Sequence, residues 1–152
     1  MHMNMTAKVL APPPLPCACA SMRRAARAVT QLYDAALRST GLRITQFTLL
    51  QALERAGGPM TQGALGELLA LDSTTLSRTL RPLQQAKWIR RVEGGDARER
   101  RFELAAQGQR ALRRATPGWE RVQRRLRTGL GQRDWAALQE LLTSTVAAVR
   151  GG

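Results

Sequence analysis

The most reactive side chains in this 152-residue chain belong to its only two cysteines, Cys17 and Cys19. One residue separates them, and they precede a predicted helix that carries Arg23 and Arg24. A helix N-terminus and neighbouring cations favour the thiolate, which is the nucleophilic and metal-binding form of cysteine. We therefore predict that the pair binds a soft trivalent metalloid, As(III) or Sb(III).

The cysteine pair is compatible with other interpretations. Structural zinc takes four ligands, and the only histidine is His2, so a zinc site would need the cysteine pairs of two subunits. A thiol–disulfide switch needs no further ligand. In the simplest interpretation, both cysteines are small apolar residues at the start of a helix.

Hydroxyl and arginine side chains between residues 73 and 101 are suited to contacts with DNA. Short hydroxyl side chains allow a helix to approach the base edges, and an arginine can donate hydrogen bonds to O6 and N7 of guanine. The candidate DNA contacts are Ser73, Thr74, Thr75, Ser77, Arg78 and Arg81 on a helix, and Arg98 and Arg100 in a basic turn. Asp96 is expected to hold Arg98 or Arg100 in place.

The elements that carry these residues predict a winged helix–turn–helix. A helix over 62–69, with Thr61 as its N-cap, is followed by a turn and a second helix over 73–86 that Asp72 or Ser73 caps. Strands over 88–92 and 101–104 flank the basic turn and form a ribbon. The leucines expected to face the core are Leu65, Leu68, Leu69, Leu76, Leu80 and Leu83.

Apolar periodicity predicts further helices over 17–39 and 45–56, from residue 106 onwards and after Asp134. Pro82 is expected to kink its helix, and Thr116-Pro117-Gly118 to bend or break another, because proline removes a backbone hydrogen bond. The predicted fold class is mainly α with a small β-ribbon. Residues 1–16 are expected to form a flexible arm, 17–44 and 106–150 dimerisation helices, and 45–105 the DNA-binding domain.

The outer helices have apolar faces that the DNA-binding domain alone cannot cover, which predicts a homodimer. Its interface is expected to contain Trp135, Leu138, Leu142, Val146 and Val149, together with Leu32 and Leu37.

The composition limits the possible functions. A net charge of +13, with arginine at all but two of 24 basic positions, favours a polyanionic partner. No apolar run reaches the roughly 20 residues of a membrane span, so a cytoplasmic protein with reduced cysteines is expected. The sequence contains no recognisable catalytic set, so neither an enzyme nor an obligatory cofactor is predicted. A non-specific nucleoid protein would also fit the charge.

The order of these elements resembles the MarR family of bacterial regulators. The matching segments are Leu76-Ser77-Arg78-Thr79-Leu80, Asp96-x-Arg98-x-Arg100-Arg101 and Leu104-x-x-x-Gly108. The resemblance implies a homodimeric repressor on a pseudopalindromic operator in double-stranded DNA, released by a ligand or by oxidation. It also implies that Arg98 enters the minor groove. Lys87 departs from the family pattern, which usually has glycine there.

The resemblance leaves the effector open. Peroxide sensors of this family hold a reactive cysteine near the start of the first helix with tyrosine hydroxyls, but the corresponding residues here, Ile44 and Phe47, have no hydroxyl. A small aromatic ligand between the dimerisation helices and the DNA-binding lobe is the remaining alternative.

Overall fold

The computed structural model describes residues 11–96 and 98–151, and the predicted arm therefore lies outside it as far as residue 10. In these residues the order is α1 (Ala18–Leu37), a 3-10 turn (Arg38–Thr40), α2 (Ile44–Ala56), β1 (Met60–Thr61), α3 (Gln62–Leu69), α4 (Ser73–Gln85), β2 (Ile89–Val92), β3 (Arg101–Leu104), α5 (Ala106–Leu130) and α6 (Gln132–Arg150). The predicted class, mainly helical with a small sheet, is confirmed. The described helices contain no segment long and apolar enough to cross a membrane.

The sheet contains one strand more than the ribbon predicted from the sequence. Its order is β1-β3-β2, antiparallel throughout, with Met60 opposite Phe102 and Ile89 opposite Leu104. Strand β1 has only two residues, too few for an alternating pattern to reveal it in the sequence. The hairpin formed by β2 and β3, with the loop between them, is called the wing. Strand β1 attaches the start of α3 to the base of this wing.

One apolar core joins the winged helix–turn–helix to the helices around it. The core is filled by leucines of α2, α3 and α4 together with Phe47, Ile89 and Phe102. Phe47 stacks on Trp119 of α5, with ring centroids 5.6 Å apart. This packing fixes the position of α2 relative to α5.

Helix α5 packs closely against α1. A Cβ at Gly118 would lie 2.8 Å from the carbonyl oxygen of Ala36, so glycine permits the close approach of the two helices. Leu37 is fully buried in this contact, and its assignment to a dimer interface was wrong. Burial raises the pKa of Tyr33 on α1, and a hydrogen bond with Gln123 on α5 partly offsets the increase.

Several local predictions need correction. Helices α4 and α5 run through Pro82 and Pro117 without a break, so α5 is one helix, and the expected kink in α4 stays a prediction. Both prolines are exposed, so water can satisfy the carbonyl groups that lose their partners. Helix α6 begins at Gln132, directly after Gly131, and Asp134 lies in its first turn rather than at its N-cap. Leu68 is 61% exposed instead of facing the core.

Candidate nucleic-acid interface and thiol pair

The N-terminus of α4 is fixed by Asp72. Its Oδ1 accepts a hydrogen bond from the Thr75 backbone N–H over 2.8 Å, and its Oδ2 accepts one from the Thr75 hydroxyl over 2.7 Å. These hydrogen bonds lower the pKa of Asp72. Since its hydroxyl is engaged in the cap, Thr75 is less suited to a base contact than its neighbours.

The orientation of α4 follows from the burial of one face. Leu76, Leu80 and Leu83 are buried, while Gln62 Nε2 donates a hydrogen bond to Ser77 Oγ over 2.8 Å. The predicted contacts Ser73, Thr74, Arg78 and Arg81 are exposed on the remaining surface of α4. Ser77 is half-buried and lies at the boundary between the two faces.

The turn between α3 and α4 depends on two residues that were not predicted from the sequence. Ala70 adopts a left-handed backbone conformation with φ of 52°. A Cβ at Gly66 would lie 3.0 Å from the Leu71 carbonyl oxygen, so Gly66 allows the turn to fold closely against α3. The contact at Gly66 could have been predicted, because a glycine inside a short helix often marks close packing. Nothing in the sequence around Ala70 indicates its left-handed conformation.

Asp96 holds Arg98 in place, as expected, and does so through the backbone of Arg98. Its Oδ1 accepts a hydrogen bond from the Arg98 backbone N–H over 3.1 Å, so the carboxylate holds the chain rather than a guanidinium group. The side chains of Arg98 and Arg100 are exposed. The Arg100 carbonyl accepts a hydrogen bond from the Gln62 backbone N–H over 2.8 Å, which joins the wing to α3.

Four of the eight candidate contacts line an open groove of about 810 Å³ between α3, α4 and the wing. Ser73 and Ser77 line it from α4, and Arg98 and Arg100 line it from the wing. Arg150, in the last turn of α6, reaches the same groove and donates a hydrogen bond to the Glu67 carbonyl over 2.7 Å. No local sequence pattern indicates this contact, because 83 residues separate its partners.

Lys87 adopts a left-handed backbone conformation at the end of α4, with φ of 58°. Its backbone N–H donates to the Gln84 carbonyl over 3.0 Å, and Trp88 N–H donates to the Leu83 carbonyl over 2.9 Å. The turn that usually contains glycine is therefore retained, and Lys87 bears the strain.

Both cysteines are exposed free thiols at the start of α1. Cys17 is the N-cap, with an extended backbone, and Cys19 lies in the first turn. Arg24 Nη1 donates to the Pro13 carbonyl over 2.8 Å, and the Ser21 hydroxyl donates to the Leu15 carbonyl over 3.2 Å. Residues 11–16 therefore run back along α1, and the thiols lie where the chain reverses.

The surroundings of the thiol pair limit its chemistry. Within the described part of the chain, no three His, Cys, Asp or Glu side chains are close enough together to hold a metal ion. Tyr33, the only tyrosine, lies 14 residues beyond Cys19 on the same helix, about 21 Å along its axis. It therefore cannot hold a thiolate in its own subunit.

The α3–turn–α4 arrangement, with its hairpin and exposed arginines, defines a winged helix–turn–helix protein. A family model described as the MarR family matches residues 40–99. The chain is 29% identical over 89 residues to YwoH of Bacillus subtilis (strain 168), an uncharacterised HTH-type transcriptional regulator; the match covers 59% of this chain and 64% of YwoH.

Solved structures agree with this assignment. The Mycobacterium tuberculosis transcriptional regulator MosR in complex with DNA is 36% identical, with a TM-score of 0.81 over 89% of this chain and 97% of MosR. An Escherichia coli MarR mutant complexed with operator DNA has the same fold, with a TM-score of 0.73 at 21% identity over 82% of this chain and 89% of MarR. The chain belongs to the MarR family of winged helix–turn–helix transcriptional regulators, whose members are regulators and not enzymes.

Proposed function

We propose that this chain is a homodimeric repressor that binds a pseudopalindromic operator in double-stranded DNA. The observation that carries the proposal is the groove in which α4 and the wing present Ser73, Ser77, Arg98 and Arg100 together. In this arrangement α4 lies in the major groove, where Arg78 donates to guanine, and Arg98 enters the adjacent minor groove. DNA as the partner also supports a cytoplasmic location.

Operator binding can be tested with three arginine variants. Arg78→Ala is expected to cost ~1–3 kcal/mol and to relax the preference at one base position in each half-site. Arg98→Ala should weaken binding with a smaller change in preference. Arg55→Ala is the matched control, because Arg55 is an exposed arginine on α2, outside both α4 and the wing. Operator affinities of the Arg78 and Arg98 variants equal to that of the control would refute the assignment.

A dimer is supported by the apolar surface of α6. Its exposed residues include Leu138, Leu142, Val146 and Val149, of which Val149 is 78% exposed. Leu141 on the same helix is 65% exposed, and we add it to the interface. A single chain leaves these side chains in water, whereas in a two-fold symmetric dimer the α6 residues of each copy would cover those of the other.

Sedimentation can test the dimer. The variant Leu142→Glu/Val146→Glu should sediment as a monomer, because it would bring charges into an apolar contact. Gln139→Glu, an exposed change on the same helix, should leave the dimer intact. A wild-type monomer at micromolar concentration would contradict the proposal.

We further propose that chemistry at Cys17 and Cys19 lowers operator affinity. Cys17 is the extended N-cap and Cys19 lies in the first turn of α1, so a bond that joins the sulfurs would change the backbone at the start of the helix. That change would displace residues 11–16, which hydrogen bonds from Ser21 and Arg24 hold along α1. The effect on DNA affinity must be reciprocal, with a typical coupling of 5–150-fold, which corresponds to about 1–3 kcal/mol.

Two reactions of the thiol pair are compatible with this coupling. The first is binding of As(III) or Sb(III) by both thiolates, with a third ligand from hydroxide or from a partner subunit. The second is oxidation by a peroxide: one thiolate attacks an oxygen atom, an alcohol leaves, and the second thiol displaces water to form the disulfide. The exposed pair supports oxidation more strongly, because the disulfide needs no third ligand.

Titration of the protein–operator complex separates these possibilities. Wild type and Cys17→Ser/Cys19→Ser are treated with antimonite, arsenite or an organic peroxide, and operator release is measured. If a metalloid releases the wild type but not the double variant, the effector is a metalloid. If a peroxide does so, the effector is an oxidant. Release that persists in the double variant rules out the thiol pair and favours a small organic ligand elsewhere.

A further inference from the structure

Most of the positive charge of this chain lies outside the winged helix–turn–helix. Residues 45–105 contain nine basic and seven acidic side chains, whereas residues 17–44 and 106–150 together contain 14 basic and four acidic ones. The DNA-binding lobe is thus nearly neutral overall. An operator contact through α4 and the wing does not account for a net charge of +13.

The excess charge is concentrated on one face of α5. At about 100° per residue, six of its arginines lie within about 120° of each other around the helix axis, opposite the face that packs on the core. We call this set the arginine stripe, and it consists of Arg110, Arg113, Arg114, Arg121, Arg124 and Arg125. All six are exposed.

Among the described residues, no carboxylate forms a salt bridge with the stripe. The salt bridges in this part of the chain involve Arg90 and Arg101, and both lie in the sheet. Like charges three and four residues apart destabilise a helix, and the stripe contains several such pairs. Its arginines therefore work against the stability of α5, so their clustering points to an external anion.

We infer that the arginine stripe is a second binding surface for duplex DNA, which contacts the phosphate backbone without reading sequence. From Arg110 to Arg125 the stripe is about 22 Å long, which is close to the rise of six to seven base pairs. Its arginines form two groups of three, about 10 Å apart along the helix axis, and each group can contact phosphates. Arginine is suited to bidentate contacts with phosphate.

The distal half of the stripe is the part that would reach a second DNA segment. Arg121 lies 15 residues beyond the start of α5, about 22 Å along its axis from the end of the wing. Arg121 and Arg125 adjoin Leu32 and Ala35 of α1, at the border of the expected dimer interface, rather than the groove between α3, α4 and the wing. A dimer on its operator would thus hold a second duplex, or a distant part of the same molecule.

The inference can be tested with two variants of equal charge. Arg121→Gln/Arg124→Gln/Arg125→Gln removes the distal stripe, and Arg38→Gln/Arg55→Gln/Arg133→Gln removes three exposed arginines elsewhere. The affinity for a long duplex without an operator is measured against salt concentration. The slope of log K against log salt should decrease in the stripe variant by about 0.9 for each phosphate that the protein no longer neutralises and should be retained in the control.

A capture assay distinguishes this surface from the operator site. A short operator duplex is immobilised and saturated with protein, and a labelled operator-free duplex is then added. Wild type and control should capture the second duplex, and the stripe variant should lose most of this capture while its operator affinity is unchanged. Because the salt measurement needs no operator, it tests the stripe even if the proposed operator binding fails.

Three results would overturn the inference. The first is equal salt slopes for the two variants, which would mean that only net charge matters. The second is the absence of second-duplex capture by the wild-type complex. The third is preferential capture of transfer RNA or of vesicles containing anionic lipid in competition with duplex DNA, which would assign the stripe to another class of partner.

Discussion

Gln62 Nε2 donates a hydrogen bond to Ser77 Oγ over 2.8 Å and thereby joins the first residue of α3 to the middle of α4. The Gln62 backbone N–H also donates to the Arg100 carbonyl at the base of the wing. One residue therefore links α3, α4 and the wing, the three elements that form the groove. The orientation of α4 relative to the wing depends on this link.

Gln62→Ala should lower operator affinity by about 0.5–1.5 kcal/mol, the usual contribution of such a hydrogen bond. The measurement is a double-mutant cycle with Ser77→Ala in an operator-binding assay. If Ser77 acts through Gln62, the double variant should bind no more weakly than the weaker single variant. Full additivity would mean that the two side chains act independently.

Gly108 is required where α5 begins. A Cβ at this position would collide with the Trp88 carbonyl oxygen and would lie 2.9 Å from Leu104 Cδ1. Gly108→Ala should therefore lower the free energy of unfolding by about 1–3 kcal/mol or more. Gly129→Ala on the same helix meets open space, and it should raise that energy by roughly 0.5–1 kcal/mol. Denaturant unfolding of both variants is the check, and a fully stable Gly108→Ala would contradict the packing described.

Lys87→Gly should stabilise the protein. Relief of the left-handed strain, about 1–2 kcal/mol, outweighs the greater backbone entropy that glycine loses on folding, about 0.5–1 kcal/mol. The thermal midpoint should rise by a few degrees, whereas Lys87→Ala, which keeps a Cβ, should show no such rise. Equal midpoints for the glycine and alanine variants would show that Lys87 is not strained.

The cap of α4 should make stability depend on pH in the acid range. The folded-state pKa of Asp72 is lowered from 3.8 by hydrogen bonds from Thr75. The capping contribution is therefore present above pH about 4 and is lost as the pH falls through the folded-state pKa. Thermal melting between pH 2 and pH 6 should show this loss in wild type, and Asp72→Asn, a neutral cap, should show less of it. Identical pH profiles would contradict the role assigned to the carboxylate.

The features that could be predicted from the sequence are those with local signals. Thr61 and Asp72 cap α3 and α4 as expected, because a cap is recognised from a short polar residue before an apolar repeat. The prediction that Leu76, Leu80 and Leu83 of α4 face the core was also correct. These local features were sufficient to place the exposed face of α4 and the wing arginines.

The features that were missed depend on contacts between distant segments. Leu37 has the pattern of an interface residue, but the close approach of α1 and α5 at Gly118 buries it within its own subunit. Arg150 reaches the groove only because α6 returns towards α3. Helix α5 is not broken at Pro117, because this residue faces water, where the loss of one hydrogen bond is tolerated. None of these outcomes has a signature in neighbouring residues.

The most direct test of sequence-specific binding is selection of sites from a library of random duplexes by the wild-type dimer, with sequencing of the bound fraction. We predict enrichment of a pseudopalindrome with two half-sites, and the same selection with Arg78→Ala should lose the preference at one position in each half-site while keeping the rest. Enrichment of no particular sequence by wild type, or an identical motif from Arg78→Ala, would contradict sequence-specific binding through α4.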